Sequence, residues 1–239
     1  MGAQSEAARP GFDLTSYIDL LGHDVLNSNQ AVLSYLELII SSPGMDPRTK
    51  KYAQKAASHI RACAVLIDNV KRMTAARRGD LVTGGGLDLT KAMRVAADKV
   101  TQILPDRRVE FRFHPSHDET IVLGGGIVPD VLLNLLINII QLDQGDDVIL
   151  KVEVTPVREH GVACWRLAIS DERLPLNQAL AEGISGEGWT QDRSRIVKMT
   201  GLVFAKLMAE NIGGSLTLGQ CSGGKGSTYV LMLKGGESE

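Results

Sequence analysis

LTSYIDLLGHDVLNSNQAVLSYLELII, residues 14–40, is the stretch on which the reading of this chain turns. Apolar residues recur at Leu14, Ile18, Leu21, Val25, Val32, Tyr35 and Ile39, in steps of three and four with Ser28 filling one slot. That is the seam of a packed helix. His23 lies two residues from both Leu21 and Val25, about 200° around the helix from each, so its imidazole faces solvent. Asn27 follows one turn on and Asp24 flanks the histidine. An imidazole, a carboxylate and a carboxamide thus share the outside of a rigid rod.

Outward from this helix, Ser41-Ser42-Pro43-Gly44 is a break and Pro47 opens a second helix at its first turn. Tyr52, Ala56, His59, Cys63, Leu66, Val70 and Met73 repeat the same steps, and the helix runs to about Arg78. Two long amphipathic helices joined by a short turn predict an antiparallel hairpin. Leu20, Leu33 and Leu36 on one helix and Ile60 and Ile67 on the other widen the apolar stripes. One hairpin cannot cover such stripes, which predicts a homodimer closed as a four-helix bundle. On this reading His59 is a packed seam residue and Cys63 a buried free thiol.

The chain of 239 residues carries 26 Lys and Arg against 28 Asp and Glu, a net charge of -2 that provides no field for nucleic acid or anionic membrane. Aromatic residues are only 4%, so the core must be aliphatic. Cys63, Cys164 and Cys221 are far apart and show no metal-ligand spacing, so neither a disulfide framework nor a tightly bound metal is expected. Met1 to Pro10 has no apolar signal region, and the longest apolar run, Val131 to Ile140, is interrupted by Asn134 and Asn138. The expectation is a cytoplasmic protein with no membrane contact.

Gly84-Gly85-Gly86 marks the domain boundary. The expected division is a disordered segment over 1–11, the hairpin over 12–80, a linker over 81–87 and a second domain over 88–235. In that domain Leu89 to Ile103 and Val128 to Leu142 have helical patterns, and Lys198 to Ile212 is a helix stopped by Gly213-Gly214. Val109 to Phe113, Val148 to Val154, Ala163 to Ser170, Ser215 to Leu218 and Thr228 to Leu233 alternate like strands. Helices and strands intermix without a regular βαβ order, so the class is α+β.

Gly22-His23-Asp24-Val25-Leu26-Asn27 resembles the H-box of two-component sensor histidine kinases. The resemblance implies that His23 is the phosphoacceptor, that Asp24 acts as base, and that Asn27 orients water for phosphatase work. The second domain resembles the ATP-binding domain of those kinases, a Bergerat-type α/β sandwich. Asn134 and Asn138 match the N-box, where the second Asn would coordinate magnesium carried by ATP. Asp171 closes a strand where the family reads the adenine amino group, and Gly201 matches a glycine of the phosphate lid. ATP with magnesium is therefore the cofactor that the resemblance implies.

Four departures fall in that one pocket. Ile139 replaces a small residue and Gln141 a basic one. Asp171-Glu172-Arg173-Leu174-Pro175 lacks both glycines of the family pattern, and Met199 stands where a lid glycine belongs. These predict that the usual mode of ATP binding is lost or weakened. Ser222-Gly223-Gly224-Lys225-Gly226-Ser227-Thr228 looks like a Walker A loop, but Lys225 is followed by Gly and a strand succeeds it, so it reads as a hairpin turn.

Two functions follow. One is a phosphotransferase with a histidine-kinase core, moving a phosphoryl group between His23 and the Asp of a response-regulator receiver domain, either as an autokinase with an unorthodox ATP site or with an ATP domain decayed into a docking scaffold, and served by a separate sensor or upstream kinase. The other is a dimeric adaptor that docks a regulator or kinase and moves no phosphate. The solvent-facing His-Asp pair with Asn one turn on favours the first.

Overall fold

The computed structural model describes residues 14–78, 84–114, 119–143, 145, 147–185, 193–221 and 225–236, with the side chains of 14–20, 77–78, 179, 183, 185 and 193–199 excepted. The segment 1–11, residues 81–83 of the linker and Ser222 to Gly224 lie outside the described residues. The seam residues Leu14 and Ile18, and Leu20 beside them, are described only as backbone.

Helices α1 (Leu14–Ser41) and α2 (Pro47–Arg78) form the hairpin. Asp46 accepts from the Thr49 N–H at 2.9 Å, satisfying one of the orphan donors at the start of α2. Which stripe does the packing differs from the sequence expectation. The buried or half-buried line of α1 is Gly22, Leu26, Asn29, Leu33, Leu36 and Ile40. It is the anticipated seam displaced by one residue. Gly22 permits close approach here, since a Cβ would crowd Ile67 and Lys71.

The anticipated seam lies on the outer face instead. Leu21, Val25, Val32, Tyr35 and Ile39 are exposed, Tyr35 by 68%. The same correction applies to α2, where Tyr52 and Val70 are exposed. His59 and Cys63, expected to be packed, are exposed as well. Periodicity finds an apolar stripe but does not say whether the partner helix or another surface covers it.

The second domain begins with β1 (Leu87–Asp88), paired with β3 (Ile121–Val122). Asp88 caps α3 (Leu89–Ile103) by accepting from the Lys91 N–H, and Thr120 Oγ1 donates to the same carboxylate at 2.8 Å. Strand β2 (Arg108–Phe113) is followed by β3 and by α4 (Val128–Leu142), with Pro129 in its first turn. Strands β4 (Asp147–Glu159) and β5 (Val162–Asp171) form a long hairpin turned at His160-Gly161, both at positive φ. After α5 (Gln178–Ser185) come α6 (Arg193–Asn211), β6 (Ser215–Gln220) and β7 (Ser227–Lys234).

The five-stranded sheet has the order β2-β4-β5-β7-β6, parallel between β2 and β4 and antiparallel elsewhere. Alternate residues of β4 and β7 face Leu132, Leu135, Leu136, Ile139, Phe204 and Met208 of α4 and α6 in one aliphatic core. Burial of that surface is the main force holding the domain. The result is α+β: a helical hairpin followed by an α/β sandwich. The sequence patterns do not anticipate strands β1 and β3, and two helices also differ from expectation. Helix α5 carries no clear pattern of its own in the sequence, and α6 begins five residues before Lys198.

Candidate functional site

His23, Asp24 and Asn27 stand together on the outer face of α1. The His23 side chain is 67% exposed, and its Nδ1 lies 3.3 Å from Asp24 Oδ1. The Asn27 amide nitrogen is 3.3 Å from Nδ1 and 3.4 Å from Nε2. Ser28 Oγ donates to the Asp24 carbonyl at 2.9 Å, fastening the turn on which the group sits. An Asp24 that accepts from Nδ1–H fixes the tautomer and leaves the lone pair on Nε2, where a nucleophilic imidazole needs it and where the Asn27 amide approaches as a donor at 3.4 Å.

The remaining candidates lie in the second domain. Asn134 is almost fully buried and meets Asn69 of α2 in a reciprocal carboxamide pair, Asn134 Nδ2 donating to Asn69 Oδ1 at 2.8 Å and Asn69 Nδ2 donating back. Beside it Arg72 bonds Asp130 at 3.1 Å. Burial pushes the Asp130 carboxyl up, and Arg72 works against that push. At the other end Ser58 Oγ donates to Asp106. These contacts fasten α2 to the sandwich. Sequence reasoning missed Asn69 and Arg72. The available signal was Ser58, Ala62, Val65, Asn69 and Ala76, a third stripe of α2 in steps of three, four and seven.

Asn138 donates through Nδ2 to the Asn134 carbonyl at 3.2 Å, and its Oδ1 is buried without a hydrogen-bond partner. Gly201 is buried against this amide, so a Cβ there would collide with Asn138. Its glycine lets α6 cross α4 closely. Since α6 starts at Arg193, the Gly201 N–H lies well inside the helical ladder. The side chain of Met199 lies outside the described residues. Ile139 is fully buried and Gln141 is exposed.

Asp171 is fully buried, at the end of β5. Its Oδ1 accepts the N–H groups of Arg173 and Leu174 at 2.8 and 3.1 Å, so the glycine-free loop folds back onto the carboxylate. Oδ2 has no partner. Burial pushes this carboxyl above its ordinary range, and neighbouring Asp143 adds to the push against the two N–H donors. Strands β6 and β7 pair antiparallel, and just before β7 Gly226 at φ 83° passes against the backbone of Asp171 and Glu172. The structure therefore groups His23, Asp24 and Asn27 on the hairpin and keeps Asn134, Asn138 and Gly201 together at the α4–α6 crossing. Asp171 is held separately by its own loop.

No protein-family model and no curated protein matches the sequence. Solved structures do match in fold. The histidine kinase AdeS of Acinetobacter baumannii is 13% identical, with 87% of this chain and 96% of that one covered at a TM-score of 0.53. Full-length ShkA in complex with AMPPNP is 15% identical, with 94% of this chain covered at a TM-score of 0.59. This chain spans about half of ShkA, 47% of its length. The fold is that of a histidine kinase core, hairpin and ATP-binding-type domain together. Among the described residues no helix is long and apolar enough to cross a membrane.

Proposed function

We propose that this protein is a two-component phosphotransferase in which His23 exchanges a phosphoryl group with the aspartate of a response-regulator receiver domain. The observation that carries this reading is the solvent-facing His23 with Asp24 at Nδ1 and Asn27 one turn on. In the transfer, the Nε2 lone pair attacks phosphorus of the regulator's acyl phosphate. The bond from phosphorus to the carboxylate oxygen breaks, the carboxylate leaves with the electron pair, and a P–N bond forms. Asp24 holds the Nδ1 proton and stabilises the positive imidazole. The reverse step delivers the group to another regulator. Asn27 is the residue to hold a hydrolytic water beside the docked acyl phosphate.

On this reading ATP is not the phosphodonor. Three features support that. The Gly201 N–H is committed to a helix, the Asn134 carboxamide to Asn69, and one oxygen of Asp171 to its own loop. Asn134 and Gly201, which the family uses at its nucleotide site, are thus engaged elsewhere, while Asn138 Oδ1 and Asp171 Oδ2 keep no partner. The phosphoryl group then comes from a separate upstream kinase or regulator, and the second domain serves as a scaffold fastened to α2.

Homodimerisation belongs to the same reading. Leu21, Val25, Val32, Tyr35 and Ile39, with Tyr52 and Val70, form an exposed apolar stripe that a second hairpin would cover. Incubation with a phosphorylated regulator, and separately with labelled ATP, tests the proposal. Label should reach His23 from the regulator and not from ATP. Direct labelling by ATP would restore an autokinase, and no label from either donor would leave the adaptor.

A further inference from the structure

The ends of α4 and β5 bring two carboxyls together in the interior. Asp143 caps the C-terminus of α4 and Asp171 closes β5, and both are buried. Their carboxyls stand within hydrogen-bonding reach of one another. One oxygen of each is occupied. Asp171 Oδ1 accepts the Arg173 and Leu174 N–H groups, and Asp143 Oδ1 accepts the Gly145 N–H at 2.6 Å. The other two oxygens have little else. Asp171 Oδ2 is buried without a donor, and Asp143 Oδ2 meets Arg173 Nη2 only at 3.4 Å, from a side chain about half in solvent.

Among the described residues, the surrounding elements supply no full counter-charge. In the turn before β2, Arg107 gives its Nη2 to the Asp143 carbonyl rather than to the carboxyl. Glu172, on the loop after β5, is paired with Lys151 of β4, and Asp147 at the start of β4 with Arg108. From β7 the pair is faced by Ser227, directly across from Asp171, and by the Tyr229 phenol, which burial keeps protonated. Cys221 turns its thiol to the Asp171 carbonyl at 3.8 Å. Two carboxylates in such a place repel, whereas one proton between them removes a charge and gives both open oxygens a partner.

We propose that Asp143 and Asp171 are joined by a single shared proton, and that this bond latches the loop 172–176 in place until the proton is lost to water as pH rises. Arg173 ties the loop to both carboxyls, its N–H to Asp171 and its guanidinium to Asp143. Leu174, Pro175 and Leu176 then run over a pocket of about 420 Å³, whose other walls include Leu142, Leu180 and Tyr229. Release of the loop opens that apolar space to solvent. Burial, with Asp143 adding to it, favours the protonated form of Asp171, so the latch is complete below 3.8 and is lost as pH rises through the folded value.

Amide hydrogen exchange on the full chain, followed across pH and expressed as protection factors, reads the loop directly. The Arg173 and Leu174 N–H groups should lose protection by about tenfold or more as pH rises through the release, while the β5–β7 ladder stays protected. Asp143→Asn should keep the protection and remove its dependence on pH. The asparagine Oδ1 retains the Gly145 bond, and Nδ2 donates to Asp171 Oδ2 with no proton to lose. Infrared spectra of the wild type should show a protonated carboxyl that outlasts the others as pH rises and is missing from Asp143→Asn and Asp171→Asn. Protection that stays flat with pH in the wild type, a pH-dependent loss that survives in Asp143→Asn, or a carboxyl band common to all three proteins overturns the latch. None of these measurements involves phosphoryl transfer, so their failure leaves the His23 reading standing.

Discussion

Asn69 of α2 and Asn134 of α4 hold each other by both halves of their carboxamides, in a position closed to water. Each amide answers the other's acceptor, so removing either one strands a buried polar group. Asn69→Ala should cost about 1–3 kcal/mol. In a double-mutant cycle with Asn134→Ala, denaturant unfolding should give a coupling of about 0.5–3 kcal/mol. Additive losses would mean that the pair does not join the two domains energetically.

His23→Gln should abolish phosphoryl acceptance while changing stability by less than about 0.5 kcal/mol, since the residue is exposed. The label on the wild type should be acid-labile and base-stable, the signature of phosphohistidine. Retention of label in the variant, or an acid-stable label, would remove His23 from the mechanism.

Asn27→Ala should spare transfer to and from His23 but slow the loss of phosphate from the partner regulator. The two side chains lie within 3.4 Å, yet in the proposed transfer only the histidine would bond phosphorus. A stopped-flow comparison of transfer and hydrolysis separates the two roles. Equal slowing of both rates would assign Asn27 to positioning of the imidazole.

Val32→Glu should convert a dimer to a monomer, because Val32 lies in the middle of the exposed apolar stripe of α1. A charge inside a closed bundle would need desolvation without a partner. Light scattering at micromolar concentration reads the outcome. A wild type that is already monomeric refutes the bundle.

Asp171→Asn should stabilise the protein at pH 7 by about 1 kcal/mol. The asparagine oxygen keeps the Arg173 and Leu174 N–H bonds, and the buried charge beside Asp143 disappears. The folded-state value of Asp171 is raised, so its favourable contribution is full below the unfolded 3.8 and is lost as pH rises through the folded value. The advantage of the variant should therefore shrink as pH falls toward 3.8 and below. Thermal melts across pH check this, and a gain that grows in acid contradicts it.

The sequence by itself determined the elements and their class. Apolar steps of three and four give α1, α2, α3 and α4, and alternation gives β2, β4, β5, β6 and β7, because burial on one face imposes the period of the element. It also placed His23, Asp24 and Asn27 on a common face, since residues one helical turn apart must be neighbours. Only the tertiary structure decided which stripe of the hairpin packs inward. The choice between Leu33 and Val32 depends on what lies opposite, and periodicity is the same for both. Likewise, nothing local in Asn69 or Asn134 reveals a partner 65 positions away along the chain. Gly201 reads as a lid glycine from its neighbours in sequence, yet its role is to let α6 cross against Asn138. Pairing and close approach are properties of two segments at once, so a single segment does not contain them.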